Sequence, residues 1–125
     1  MGVTAIKGID NKANGMAWIR NMERNVSKDC YPHSSIAFDM WIPWCTSHDD
    51  YHNRHYIMIQ VSIGSSKVTH YIWQNEEHGV DRVRYNTTDN WMPGAPEVPG
   101  ASHVDGDRVV EINANGGLLF QEIAP

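Results

Sequence analysis

Tyr56-Ile-Met-Ile-Gln-Val-Ser-Ile63 and Val68-Thr-His-Tyr-Ile-Trp73, joined by Gly64-Ser-Ser-Lys67, decide the fold class. In the first run Ile57, Ile59, Val61 and Ile63 alternate with Met58, Gln60 and Ser62. In the second, Val68, His70 and Ile72 alternate with Thr69, Tyr71 and Trp73. A period of two sends successive side chains to opposite faces of an extended chain, which is the pattern of a half-buried strand. The short, glycine-led link Gly64-Ser-Ser66 suits a hairpin turn.

The same alternation spreads outward. Ile36, Phe38 and Met40 alternate with Ala37 and Asp39, and further strand candidates are Val3–Ile9, Met16–Met22, Val80–Tyr85, Arg108–Ile112 and Leu118–Ile123. Asp10-Asn-Lys-Ala-Asn-Gly15 and Asn113-Ala-Asn-Gly-Gly117 separate strands as turns. Met16, Ile19 and Met22 lie three apart, as on a helix face, but the Asn14-Gly15 turn ahead of them favours a strand. About eight short strands point to an all-β, single-domain antiparallel β-sandwich or barrel over residues 1–125. A chain of that length can bury a core without staples. His78-Gly-Val-Asp-Arg-Val83 echoes His103-Val-Asp-Gly-Asp-Arg-Val109, each placing Asp-Arg-Val where a strand starts; a shared way of starting a strand explains this better than duplication.

The formal net charge of −5 and a pI near 5.7 argue against binding nucleic acid or anionic lipid through bulk charge. No stretch approaches the roughly 20 apolar residues of a membrane-spanning helix. The start, Met1-Gly-Val-Thr-Ala-Ile-Lys7, has no charged segment followed by an apolar block, so no signal peptide is visible; the expectation is a cytoplasmic protein or one exported by a non-classical route. Cys30 and Cys45 read as two buried free thiols, with a disulfide between them as the alternative. The sequons Asn25-Val-Ser27 and Asn86-Thr-Thr88 read as chance.

Chemistry concentrates between two of the strands, in Trp41-Ile-Pro-Trp-Cys-Thr-Ser-His-Asp-Asp-Tyr-His-Asn-Arg-His55. Polar, aromatic loops held between apolar strands are a common form of binding surface. If successive strands alternate in direction, connections 10–15, 42–55, 74–79 and 113–117 share one rim, which collects Asn11, Asn14, Gln74, Glu76, Glu77, His78, Asn113 and Asn115. Connections 23–34, 64–66 and 86–107 share the other. The last of these is far longer than an ordinary connection, which marks it as functional or as wrapping the barrel.

A sugar presents an apolar C–H face and a ring of hydroxyls, so its site needs an aromatic platform with polar partners. Trp44, Tyr51, Trp73 and Trp91 are platform candidates, with Trp44 and Trp91 expected to be the exposed pair and Trp18, Trp41 and Trp73 candidates for the core. His48, Asp49, Asp50, His52, Asn53, Arg54, Asn75 and Asn90 are the polar partners. Zinc could draw on Cys45, His48, Asp50 and His52, and calcium on Asp49, Asp50, Glu76, Asp105 and Asp107. Neither set has a defining pattern, and a loop at 48–55 removes the geometric meaning of the histidine spacing, so no cofactor is assigned. No nucleophile elbow is present. Asp49/Asp50 and Glu76/Glu77, adjacent on extended chain, would point apart and make no ready acid–base pair.

In size, acidity, tryptophan content and all-β pattern the chain resembles small fungal and bacterial lectins and the aegerolysin class, and Trp41-Ile-Pro-Trp-Cys45 is similar to the Trp/Cys/Pro-rich patch of the aegerolysins. No defining motif of either aligns, and no site residue is carried over. The expectation is a non-catalytic, lectin-like carbohydrate-binding protein, homo-oligomeric, with a glycan or glycoconjugate as partner and no nucleic acid. A membrane-binding, cytolysin-like module and a small metal-dependent enzyme are the alternatives. If His48 or His52 touches the sugar, binding weakens as imidazoles charge between about pH 7 and 5.5.

Overall fold

The computed structural model describes residues 4–77, 80–92, 94–100 and 106–122. Nine strands and one helical turn follow one another: β1 (Thr4–Asn11), β2 (Ala17–Asn21), β3 (Val26–Cys30), β4 (Ser34–Trp41), α1 (His48–His52), β5 (Ile57–Ile63), β6 (Ser66–Glu77), β7 (Val80–Asn86), β8 (Gly106–Ile112) and β9 (Leu118–Glu122). They form a four-stranded sheet ordered β4-β1-β8-β9 and a five-stranded sheet ordered β3-β2-β5-β6-β7. Neighbours are antiparallel except β1 and β8, which run parallel. The chain is thus an all-β protein built on two sheets, as the alternation predicts.

The inward positions are those that the period of two selects. Ile57, Ile59 and Val61 of β5, Ala17 and Ile19 of β2, and Ile72 of β6 meet Ile6, Ile9, Val110, Ile112 and Phe120 of the other sheet in one buried cluster. Each such aliphatic side chain removed from water contributes roughly 1.5–3 kcal/mol. The β5–β6 hairpin turns at Gly64, whose φ of +61° is open to glycine without strain. Asp81-Arg-Val83 and Asp107-Arg-Val109 each lie one residue inside a strand, β7 and β8, in different sheets; His78 and residues 103–105 of that echo lie outside the described residues.

The sequence pattern missed β3. Its Val26-Ser-Lys-Asp-Cys30 buries only Cys30, and Val26 is 46% exposed. It is an edge strand defined by backbone pairing to β2 rather than by burial. One uncounted strand reverses every strand after it, so the expected rims are wrong. The 42–55 connection lies not with 10–15 and 113–117 but at the opposite end, together with the 22–25 turn and the start of the long loop; residues 74–77, expected in a connection, are the end of β6 at that same end, and 78–79 lie outside the described residues. Parallel pairing of β8 with β1 restores the count, leaving 113–117 beside 10–15.

Two buried asparagines fasten the two ends. Asn11, expected on a polar rim, is fully buried: Nδ2 donates to Gly15 O, Cys30 O and Tyr31 O, and Oδ1 accepts from Ala13 N. At the other end Asn21 donates to Trp41 O at 3.0 Å and accepts from the Glu23 and Arg24 amides. Gly15 is obligatory, because a Cβ there would sit 2.1 Å from Ser62 O.

The long loop straps one sheet to the other. After Trp91 it runs back along β7, with Tyr85 N donating to Pro96 O and Val98 N to Val83 O. It then reaches the edge of β9, where Phe120 N donates to Pro99 O at 2.8 Å and Gly100 bridges Phe120. At φ +96°, with Phe120 O 2.2 Å from where a Cβ would be, Gly100 admits no side chain. Residues 101–105 lie outside the described residues.

Candidate functional site

Beyond Trp41 the chain leaves the four-stranded sheet for the five-stranded one. Gln74 N donates to Pro43 O and Cys45 N to Gln74 O, so Trp44 runs parallel beside Gln74 of β6. This crossing sets α1 over the far half of β6.

The 48–52 segment, expected to be loop, is one turn of helix, because both its ends are capped. Ser47 Oγ accepts from Asp50 N at 3.1 Å, and Asp50 Oδ2 reaches back to Thr46 N and Thr46 Oγ1. Side chains of that kind satisfy the orphan amides of a helix start. At the other end Arg54 N donates to Tyr51 O and His55 N to Asp50 O, with Arg54 at φ +67°. That is the Schellman pattern, which ordinarily places glycine where this chain has arginine. The Thr46 amide holds the Asp50 carboxyl below the ordinary carboxylate range.

Beneath α1 lies an aromatic floor distinct from the main core. Cys45, Tyr56, Trp73, Trp91 and Ala95 are buried together, with Met22, Tyr51 and Tyr71 against them. Tyr51 stacks on Tyr56 with centroids 4.4 Å apart and meets Trp73 edge-on at 5.8 Å, while Tyr56 meets Tyr71 at 5.9 Å. The long loop joins this end. Tyr51 Oη donates to Asp89 Oδ1 at 2.8 Å, and the His48 ring meets Trp91 edge-on at 4.9 Å. Burial and the neighbouring Asp89 carboxylate push the Tyr51 phenol well up, so it remains a donor.

The structure brings together His48, Asp49, Asp50, Tyr51, His52, Asn53 and Arg54 with Asn90 and Trp91 at one end; Trp44 lies at the same end through its bridge to Gln74, whose face of the sheet is opposite to that of Trp73 and Cys45. His48, Asp49, His52, Asn53, Arg54 and Asn90 are exposed, and Trp44 is half-buried. Two platform candidates lie elsewhere in the packing. Trp73 is fully buried and offers no ring face to solvent; Trp91, expected to be exposed, is 9% exposed because α1 covers it. Asn75 is buried too, its Oδ1 accepting from Arg84 Nε at 3.1 Å. Trp18, a core candidate, is half-buried on the outer face of the five-stranded sheet. Asp89, which ties the two segments, was not singled out by the sequence pattern: it is one polar residue in a polar run.

Among the described residues no three His, Cys, Asp or Glu side chains converge as metal ligands would. In the zinc set, Cys45 is fully buried and burial pushes its thiol to about 12, while Asp50 is engaged by Thr46. In the calcium set, Asp105 lies outside the described residues. Asp49 and Asp50 are successive helical residues rather than strand neighbours. Both cysteines are free and buried; Cys30 Sγ donates to Ser34 O at 3.3 Å.

No protein-family model matches this chain, and no curated protein or solved structure is significantly similar to it.

Proposed function

We propose that this protein is a non-catalytic, lectin-like carbohydrate-binding protein whose sugar stacks on Trp44 and is held through its hydroxyls by the α1 segment and Asn90. One observation carries the reading: exposed hydrogen-bonding side chains of two separate segments, from His48 to Arg54 and Asn90, are gathered over a packed aromatic floor at the end of the fold that also carries the half-buried Trp44. Caps at both ends of α1 and the Tyr51–Asp89 bond hold that array in place before a ligand arrives, which lowers the ordering cost of binding. Homo-oligomers belong to the proposal, since repeated weak sites gain through avidity.

The lipid-surface alternative draws less support. Trp73 and Trp91 are buried, and the exposed large apolar residues divide between the two ends, Val26 and Met92 at the α1 end and Met16, Tyr31 and Leu119 at the other.

The test is a broad glycan array, run on the purified protein with and without EDTA. Specific binding that survives EDTA supports a metal-independent lectin. Binding lost with EDTA moves the aspartates and histidines into a metal site, and no binding on any glycan overturns the proposal.

A further inference from the structure

α1 covers only part of the sheet face on which it stands. On β2, β5 and β6 the residues that alternate with the buried Ile19, Ile59 and Ile72 point away from the core, and the register sets them in rungs across the outer face of the five-stranded sheet. Arg20, Met58 and Tyr71 share one rung. Trp18, Gln60 and Thr69 share the next one away from α1, and Ser62 lies opposite Lys67 beyond it. The ladder starts under α1: Tyr51 stacks on Tyr56, and Tyr56 meets Tyr71 edge-on at 5.9 Å. From Tyr56 to Ser62 the extended chain covers roughly 20 Å at about 3.3 Å per residue, the length of several pyranose rings.

Beyond Tyr71 this face forms a groove of about 410 Å³, lined by Met16, Trp18, Met58, Gln60, Ser62 and Lys67. That volume lies within the range of small-ligand sites. Trp18 and the two methionines give the groove its apolar surface; Gln60, Ser62 and Lys67 give it hydrogen-bonding groups. Gln60 Nε2 donates to Thr69 Oγ1 at 3.1 Å, which orients both groups before a ligand arrives and leaves the threonine its own proton to donate. An indole ring with an amide, hydroxyls and an ammonium group around it is matched by a ligand with a C–H face and a rim of hydroxyls, as a pyranose has. The half-buried Trp18 stands on the same sheet face as α1, so one extended ligand can reach both.

We propose that the glycan of this protein is a linear chain of several sugars, held at one end by the α1 segment and running down the outer sheet face along β5 to a further platform at Trp18. The inference rests on the lectin-like reading of the α1 end and names its substrate class. β-1,4-linked pyranose chains fit, because their equatorial linkages make a flat, extended ribbon that follows a sheet face without bending away from it. One sugar of the ribbon stacks on Trp18, and its hydroxyls bond to Gln60, Thr69 and Lys67.

The probes are cello-, xylo-, manno- and chito-oligosaccharides, each as the disaccharide and the hexasaccharide, measured by calorimetry on the whole protein. At least one hexasaccharide is expected to bind tighter than its disaccharide by about tenfold or more, the gain from one further stacked sugar. Trp18→Ala is expected to remove most of that gain, so that the two lengths bind alike. Trp18 lies outside the buried core, and the urea midpoint of the variant checks that it folds; Gln60→Ala, which keeps the indole, is the second variant and is expected to lower the gain by about threefold. Equal affinity for the two lengths, or a gain that survives in both variants, overturns the chain and leaves the lectin-like reading standing. Binding on the glycan array with none to any of these hexasaccharides does the same. No binding on the array or in this series overturns both.

Discussion

The Tyr51 hydroxyl donates to Asp89 across 2.8 Å, and so joins residues 38 positions apart in the chain. It is the polar link between α1 and the loop after β7; the edge contact of His48 on Trp91 is the apolar one. Tyr51→Phe keeps the stack on Tyr56 and removes only the link. The expected result is a small stability loss, about 0.5–1.5 kcal/mol by urea denaturation, with a larger rise in amide exchange over 47–55 and 87–91. Unchanged exchange in both segments would show that packing alone joins them.

Arg54 occupies a left-handed backbone position that closes α1. A side chain there costs roughly 1 kcal/mol that glycine does not. Arg54→Gly should therefore raise the free energy of unfolding, measured by urea denaturation, by about that amount and, if the guanidinium holds a sugar, weaken glycan binding. Stability gained with affinity intact would remove Arg54 from the site.

Trp44 is the platform on which the sugar reading depends. Stacking on an aromatic ring is worth roughly 0.5–1.5 kcal/mol beyond the area it covers. Trp44→Ala should weaken binding of an array-positive glycan by about tenfold or more in calorimetry. Full affinity in the variant would exclude stacking there.

His70 ties stability to pH. Burial lowers its pKa from the ordinary 6.5, partly offset by the Gly116 carbonyl. Below pH 6.5 the unfolded chain takes up a proton that the folded chain resists, so stability is fully held above that value and falls as pH drops beneath it. Among the described residues, Glu111 and Tyr85 are the other titratable groups lining the cavity beside His70. Urea midpoints at about pH 7 and pH 5 should differ less in His70→Gln than in the parent protein; an equal difference would assign the pH dependence elsewhere.

Asn11 makes four hydrogen bonds in full burial. Asn11→Ala strands several buried backbone groups, each costing about 1–3 kcal/mol, so urea denaturation should show a loss of at least about 2 kcal/mol. A smaller loss would mean that water replaces the amide.

The strands with one buried face were legible because burial imprints a period of two on nearby residues. β3 left no such imprint: its partner is β2 and all its side chains but that of Cys30 face solvent. α1 was illegible for the opposite reason, since five residues are too few for a helical period and its existence rests on Ser47 and on the turn at Arg54. The site was legible in part. The residues of 44–54 were marked by their density of polar and aromatic types, but the burial of Trp73, Asn75 and Trp91 depends on distant neighbours. Asn11 and Asn75 have the same composition as a solvent-facing asparagine; only the chain around them makes them internal.

The pairing of β1 with β8 has a consequence for biosynthesis. β1 leaves the ribosome long before its neighbour β8 in mid-sheet, whereas all five strands of the other sheet fall between Ala17 and Asn86, interrupted by β4 alone among the described strands. The five-stranded sheet can therefore assemble during translation while β1 waits with one edge bare. Closing such a sequence-distant pair is slow, and until it happens the apolar side of β1, with Ile6 and Ile9, is open to other nascent chains. The vulnerable period for aggregation ends only when Ile112 has been made.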